Sequence, residues 1–158
     1  MMAATVRGYT ARVPHPAFFL IQDMKTKPCL TLDDCKIIAA AGEAHARANH
    51  WAVTISIVDD GGHLLWLQRM DGAGISTVRV SEGKARTAAW GRKPTKAYEE
   101  MVNQEGRVSA TMMPGMLHME GAVPIMVEGQ CVGAVGASGV KSAEDAQIAE
   151  AGIKALLG

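Results

Sequence analysis

The chain has 158 residues, with 16 Lys and Arg against 16 Asp and Glu, and is 48% hydrophobic but only 4% aromatic. That length is enough for one packed core, and the apolar content with mixed charge excludes a disordered polymer. Zero net charge gives no bulk attraction to nucleic acid or to an anionic membrane, and no apolar run is long enough to span a bilayer.

Cys29, Cys35 and Cys131 lack metal-ligand spacing and leave an odd thiol, so neither a disulfide scaffold nor a zinc site is expected. A reducing, cytoplasmic location follows as the expectation. Residues 1–24 carry Pro14 and Pro16 and no amphipathic period. They read as a flexible N-terminal extension, with Met24 as an alternative start and residues 25–158 as the working domain. Phe18-Phe19-Leu20-Ile21 is too short for a signal segment.

From Thr31 the patterns become regular. A hydroxyl followed by Asp33 and Asp34 predicts a helix start, and Cys35, Ile38, Gly42, His45 and Ala46 then share one side as far as Asn49. Residues 51–58 alternate, with Trp51, Val53, Ile55 and Ile57 opposite Thr54 and Ser56, which predicts a strand. Asp59-Asp60-Gly61-Gly62 is turn chemistry, and residues 63–70 read as the returning strand of a hairpin. A helix over 76–90 presents small residues for close approach, and a short one over 96–102 follows Pro94. Residues 103–121 are rich in Met and Gly, lack periodicity and read as a long loop. Strands over 122–127 and 130–137 meet at Glu128-Gly129, and Ser142-Ala-Glu-Asp145 reads as the cap of a last helix. The order α-β-β-α-α-β-β-α predicts an α+β fold, a single antiparallel sheet with helices packed on it.

No standard catalytic signature is present. Gly133-Ala-Val-Gly136-Ala137 superficially suggests a nucleotide loop, but it lies within a strand and reads as a place of close backbone approach. His45 falls about 20° from Ile38 on a helical wheel, so it faces the interior or a crevice. It is a candidate metal ligand set against the plainer reading of a hydrogen-bonded core histidine. Met116-Leu-His118-Met119 places thioethers beside an imidazole, which suits either an iron–porphyrin pocket or a pliable apolar lining. Arg69 at a strand end and Lys84 on the following helix are candidate carboxylate holders, against the alternative of a solvated charged face. Glu82 is expected to pair with Arg79 or Arg86.

Taken in order, several motifs resemble the GlcG/HbpS family of haem-binding or haem-degrading-type proteins. They are Val58-Asp59-Asp60-Gly61-Gly62-His63-Leu64, Arg69-Met70-Asp71-Gly72-Ala73, Lys84-Ala85-Arg86-Thr87-Ala88, Glu120-Gly121-Ala122-Val123-Pro124, and Gly133 through Gly139. The resemblance covers residues 25–157. It implies a five-stranded antiparallel sheet, whose extra strand would fall near 116–119, and homo-oligomers that include octamers. It also implies haem as cofactor, with a first-helix histidine, here His45, on the iron. Gly121-Ala122 stands where the family commonly has two glycines.

Three readings of function remain open at this point, and whether the chain is an enzyme stays open with them. In the first, haem is bound through His45, with Arg69, Lys84, Met116 and Ser138 as ligand-binding residues. In the second, a hydrolase or tautomerase holds a small carboxylate on Arg69 and Lys84, with Glu120 or His118 as general acid or base. The third is a structural oligomer without chemistry.

Overall fold

Residues 25–158 are described by a computed structural model, and the expected N-terminal extension, residues 1–24, lies outside the described residues. The helix read from Thr31 onward is α1, Leu32–Ala48. Its cap is reciprocal: Asp34 N–H donates to Thr31 Oγ1 at 3.2 Å, and the Thr31 N–H and hydroxyl donate to Asp34 Oδ2 at 2.8 and 2.7 Å. These bonds hold the Asp34 carboxyl below the ordinary carboxylate range.

The remaining elements are β1 (Thr54–Asp59), β2 (Leu64–Arg69), α2 (Thr77–Gly91), α3 (Lys96–Asn103), β3 (Ala122–Val127), β4 (Gln130–Ser138) and α4 (Ser142–Leu157). The α+β order read from the sequence therefore stands, with a short 3-10 turn over Val108–Met112 added inside the long loop. All strand pairs are antiparallel, in the order β2-β1-β4-β3. Glu128 and Gly129 both have positive φ, at 49° and 77°, which closes the β3–β4 hairpin with a two-residue turn of the kind that matches strand twist.

The expected fifth strand is absent: among the described residues the sheet has four strands, and residues 116–119 pair with none of them. The reason lies in where that segment sends its N–H groups. Met116 donates to Met113 O, Leu117 to Thr87 Oγ1, Met119 to Leu117 O and Glu120 to Glu99 Oε2. Turn carbonyls and side chains of α2 and α3 use the donors that a ladder would need.

Both faces of the sheet are covered. On one, Ile55, Ile57, Val135 and Ala137 pack with Ile38 of α1 and Ile148 of α4. On the other, Val58, Ala134 and Ala122 meet Ala85, Ala88 and Ala89 of α2. Thr54 and Ser56 point to this second face and are fully buried, bonding hydroxyl to hydroxyl with Thr77 (2.6 Å) and Ser81 (2.7 Å) of α2. Helix and sheet approach closely because Gly136 lacks a side chain. A Cβ there would fall on the carbonyl oxygen of Ser81 and lie 2.7 Å from the Ala85 nitrogen. Ile75 lies before α2 and is 83% exposed.

Candidate functional site

The register brings the residues singled out in the sequence to one end of the sheet. Thr54, at the start of β1, is opposite Arg69 on one side and Ser138 on the other, and Ala122, at the start of β3, is opposite Gly136. Arg69, Ser138 and Glu120 therefore share an end but belong to different strands. At about 4.8 Å per strand, the β2 line runs about 10 Å from β4 and about 14 Å from β3. Arg69 is exposed and has no hydrogen bond or ion pair among the described residues, whereas Ser138 is 7% exposed beside β1.

Lys84 does not join Arg69. It is 1% exposed, and its Nζ donates to Asp145 Oδ2 of α4 at 2.8 Å and to Ala137 O at 3.3 Å. Since α2 and α4 lie on opposite faces of the sheet, this side chain passes the beginning of β3 to join the two helical layers. Gly121, with φ of +129°, leaves the passage open: a Cβ there would lie 2.5 Å from Lys84 Nζ and 2.8 Å from Asp145 Cβ. Burial outweighs the neighbouring ammonium and lifts the Asp145 carboxyl above the ordinary range. Asp145 Oδ1 also accepts the Val140 N–H at 3.3 Å. The sequence reading placed Asp145 in a helix cap, but the cap residue is Lys141, whose N–H donates to Glu144 Oε2 at 3.1 Å. A carboxylate in a first helical turn looks solvated in sequence, and only the tertiary approach of Lys84 identifies it.

His45 sits in the last turn of α1, half-buried, with its ring 5.8 Å from that of Trp51 and tilted by 57°. Its Nε2 is buried and has no hydrogen-bond partner among the described residues. The plainer reading of a hydrogen-bonded core histidine is thus not met at Nε2. The other such atom, Trp66 Nε1, can only donate, so His45 alone of the two can hold a metal. Contacts of the Gly42 position with Ile148 and of the Gly152 position with Ile38 make α1 and α4 antiparallel. That direction puts His45, one turn beyond Gly42, level with the start of α4, at the same end as Ser138.

Glu120, His118 and Met116 gather round α3 instead. Glu120 joins Glu99, Glu100, Gln104 and Lys96 around a cavity of about 280 Å³, with Lys96 Nζ 4.0 Å from Glu120 Oε1. Three carboxylates face one ammonium there, an excess of negative charge that repels an anionic ligand. Met116 lines a second cavity of about 280 Å³ with Trp90, Gly91, Tyr98 and Met113, and His118 packs edge-on to Tyr98 at 5.7 Å. The aromatic walls Trp90 and Tyr98 were not legible as site residues, because each is a lone ring in a polar helix. Glu82 bonds both expected partners, Arg86 at 2.6 Å and Arg79 at 3.3 Å.

No helix among the described residues is long and apolar enough to cross a membrane. Comparison with known proteins gives a consistent picture. A family model described as haem degrading protein HbpS-like matches residues 30–154. Protein GlcG of Escherichia coli strain K12 is 50% identical over 115 residues, 73% of this chain and 85% of that one. The crystal structure of Klebsiella pneumoniae protein ORFY superposes with a TM-score of 0.80 at 29% identity, covering 87% of this chain and 97% of that one. A double mutant of Streptomyces reticuli HbpS superposes at 0.78 with 27% identity, covering 100% of this chain and 99% of that one.

Proposed function

Because the chain belongs to the HbpS-like family, we propose that it binds haem at the end of the sheet where α1 finishes, with His45 Nε2 as the iron ligand. The observation that carries this reading is the buried, unpartnered Nε2. Leaving a buried polar atom unpaired costs about 1–3 kcal/mol, and a ligand that engages it removes that penalty. When bound, haem supplies an iron centre that accepts an imidazole nitrogen and can take part in redox chemistry. The chain's own contribution is positional. Trp51 lies against the imidazole and supplies an apolar surface, and the partial exposure of His45 lets a side-chain rotation present Nε2 to a ligand. Arg69 stands exposed at the same end, but as a cross-strand partner of Thr54 it shares the α2 face of the sheet with Ser138, opposite to α1. Only its long side chain takes a role, reaching round the rim toward a propionate, and Ser138 takes none. Lys84 is assigned to the Asp145 pair rather than to a propionate.

Self-association belongs to the same reading. The edge strand β2 exposes Leu64, Leu65 and Leu67 at 44%, 40% and 36%, a strip that a second copy would cover. The small-carboxylate reading has less support, since Lys84 is already paired and Glu120 stands among like charges. Haemin titration tests the proposal. The intact chain is expected to give a saturable Soret shift that His45→Ala abolishes while the far-ultraviolet circular dichroism is unchanged. Equal binding by a folded His45→Ala variant refutes it. Turnover to a degraded porphyrin is read separately, as loss of the Soret band with ascorbate in air and release of iron.

A further inference from the structure

We propose that the turn Met113-Pro114-Gly115-Met116 is a binding site for a soft monovalent metal ion of copper(I) or silver(I) chemistry, held by the two thioethers against the indole of Trp90. The backbone prepares this arrangement. Met116 N–H donates to Met113 O at 3.3 Å, Pro114 occupies the second turn position, and Gly115 supplies a φ of +82° at the third. That is a type II turn, which brings the Cα atoms of its first and fourth residues within about 7 Å. Both methionines consequently line one cavity, with Trp90, Gly91 and Tyr98.

The turn is pinned from both sides. A Cβ on Gly115 would lie 3.1–3.2 Å from the six-membered ring of Trp90, whose Nε1–H donates to Gly61 O at 2.6 Å. The next residue, Leu117, donates its N–H to the buried Thr87 hydroxyl at 2.7 Å. No charged group and no carboxylate lines the cavity, which disfavours hard cations, while thioethers select soft ones. An indole face adds attraction for a cation. Packing alone would bury these side chains, yet Met113 is 57% exposed. His118 is not part of the lining and packs on Tyr98, so the donor set contains no group that protonates near neutrality. The site lies on the α2 side of the sheet, away from His45 on α1, and is independent of the haem reading.

The test is titration of the full chain with silver nitrate in a chloride-free buffer, read by tryptophan fluorescence. A Cys29→Ser background removes the exposed thiol. Saturable quenching near one equivalent is expected, unchanged between neutral pH and about pH 4.5, because a thioether has no proton to lose where an imidazole of pKa about 6.5 would be titrated. Met113→Leu with Met116→Leu, which nearly conserves volume and so preserves folding, is expected to weaken binding at least about tenfold, equivalent to about 1.4 kcal/mol. Trp90→Phe is expected to remove the quenching. Undiminished affinity in the double leucine variant, quenching that survives Trp90→Phe, or loss of binding on acidification overturns the proposal.

Discussion

Replacing Lys84 by Met separates an architectural lysine from a ligand-binding one. In the folded chain Lys84 and Asp145 are each 1% exposed and joined at 2.8 Å, so removal of the ammonium leaves a carboxylate with no counter-charge in the interior. Breaking such a pair costs about 3–5 kcal/mol. Against a domain stability of about 5–15 kcal/mol, the variant is expected to fold but to unfold at much lower urea. The pH dependence supplies a second signature. Asp145 in the folded chain already lies above the ordinary carboxylate range through burial, and without Lys84 it rises further. A folded-state value raised above the unfolded one costs stability at pH above the folded value, and that cost fades as pH falls toward the unfolded value of about 3.9. The penalty of Lys84→Met is therefore expected to shrink on acidification from pH 7 toward 4, by at most about 1.4 kcal/mol per pH unit. Adding Asp145→Leu is expected to recover a large part of the loss, because no buried charge then remains. Urea unfolding of the three chains, parent, single and double variant, at two pH values makes the measurement. A cost below about 1 kcal/mol at neutral pH, or a double variant no more stable than the single one, refutes the architectural assignment.

Gly136→Ala places a methyl group on the Ser81 carbonyl and is expected to lower stability by about 1–3 kcal/mol, as overpacking does, measured by thermal or urea unfolding. Thr31→Ala removes the hydroxyl that accepts the Asp34 N–H, and a loss of about 0.5–2 kcal/mol is expected in the same assay. The Asp34 carboxyl, held low by its two bonds from Thr31, contributes stability above its unfolded value of about 3.9 that is lost as pH falls through the folded one. Comparing Asp34→Asn with the parent chain is expected to show a deficit at neutral pH that shrinks as pH falls below about 3.9.

The order of helices and strands was legible because each rests on local chemistry. The Thr31 cap, the alternation from Trp51 onward and the Glu128-Gly129 turn state their structures within a few residues. Residues 103–121 carry no such pattern, and the strand assigned to 116–119 came from family resemblance alone. What fixes that segment is the Thr87 hydroxyl and the Glu99 carboxylate, neither of which is close in sequence. The same limit applies to Lys84. Its neighbours Gly83 and Ala85 suggest an uncrowded cation, and only α4, 61 residues further along the chain, reveals that the charge is spoken for. His45 was legible as inward-facing from its place on the Ile38 stripe, but an unpartnered nitrogen is a property of three dimensions.

One arrangement separates the functional readings more sharply than any single residue. Antiparallel hairpins return β2 and β4 to the end where β1 and β3 begin, so Arg69, Ser138 and Glu120 are neighbours of one rim without being neighbours of each other. The strand spacing sets the Arg69 backbone about 14 Å from the line of β3, so a small carboxylate would have to draw two long side chains together to bridge Arg69 and Glu120. General acid–base chemistry needs the reacting group within about 3 Å of both, and Glu120 stands with Glu99, Glu100 and Lys96 around its own cavity, which Arg69 does not line. A broad, flat ligand makes no such demand. It needs one strong point of attachment, an apolar wall and a cation near its margin; in the proposed reading His45 Nε2 and Trp51 serve the first two on the α1 side, and Arg69 reaches round the rim from the α2 face.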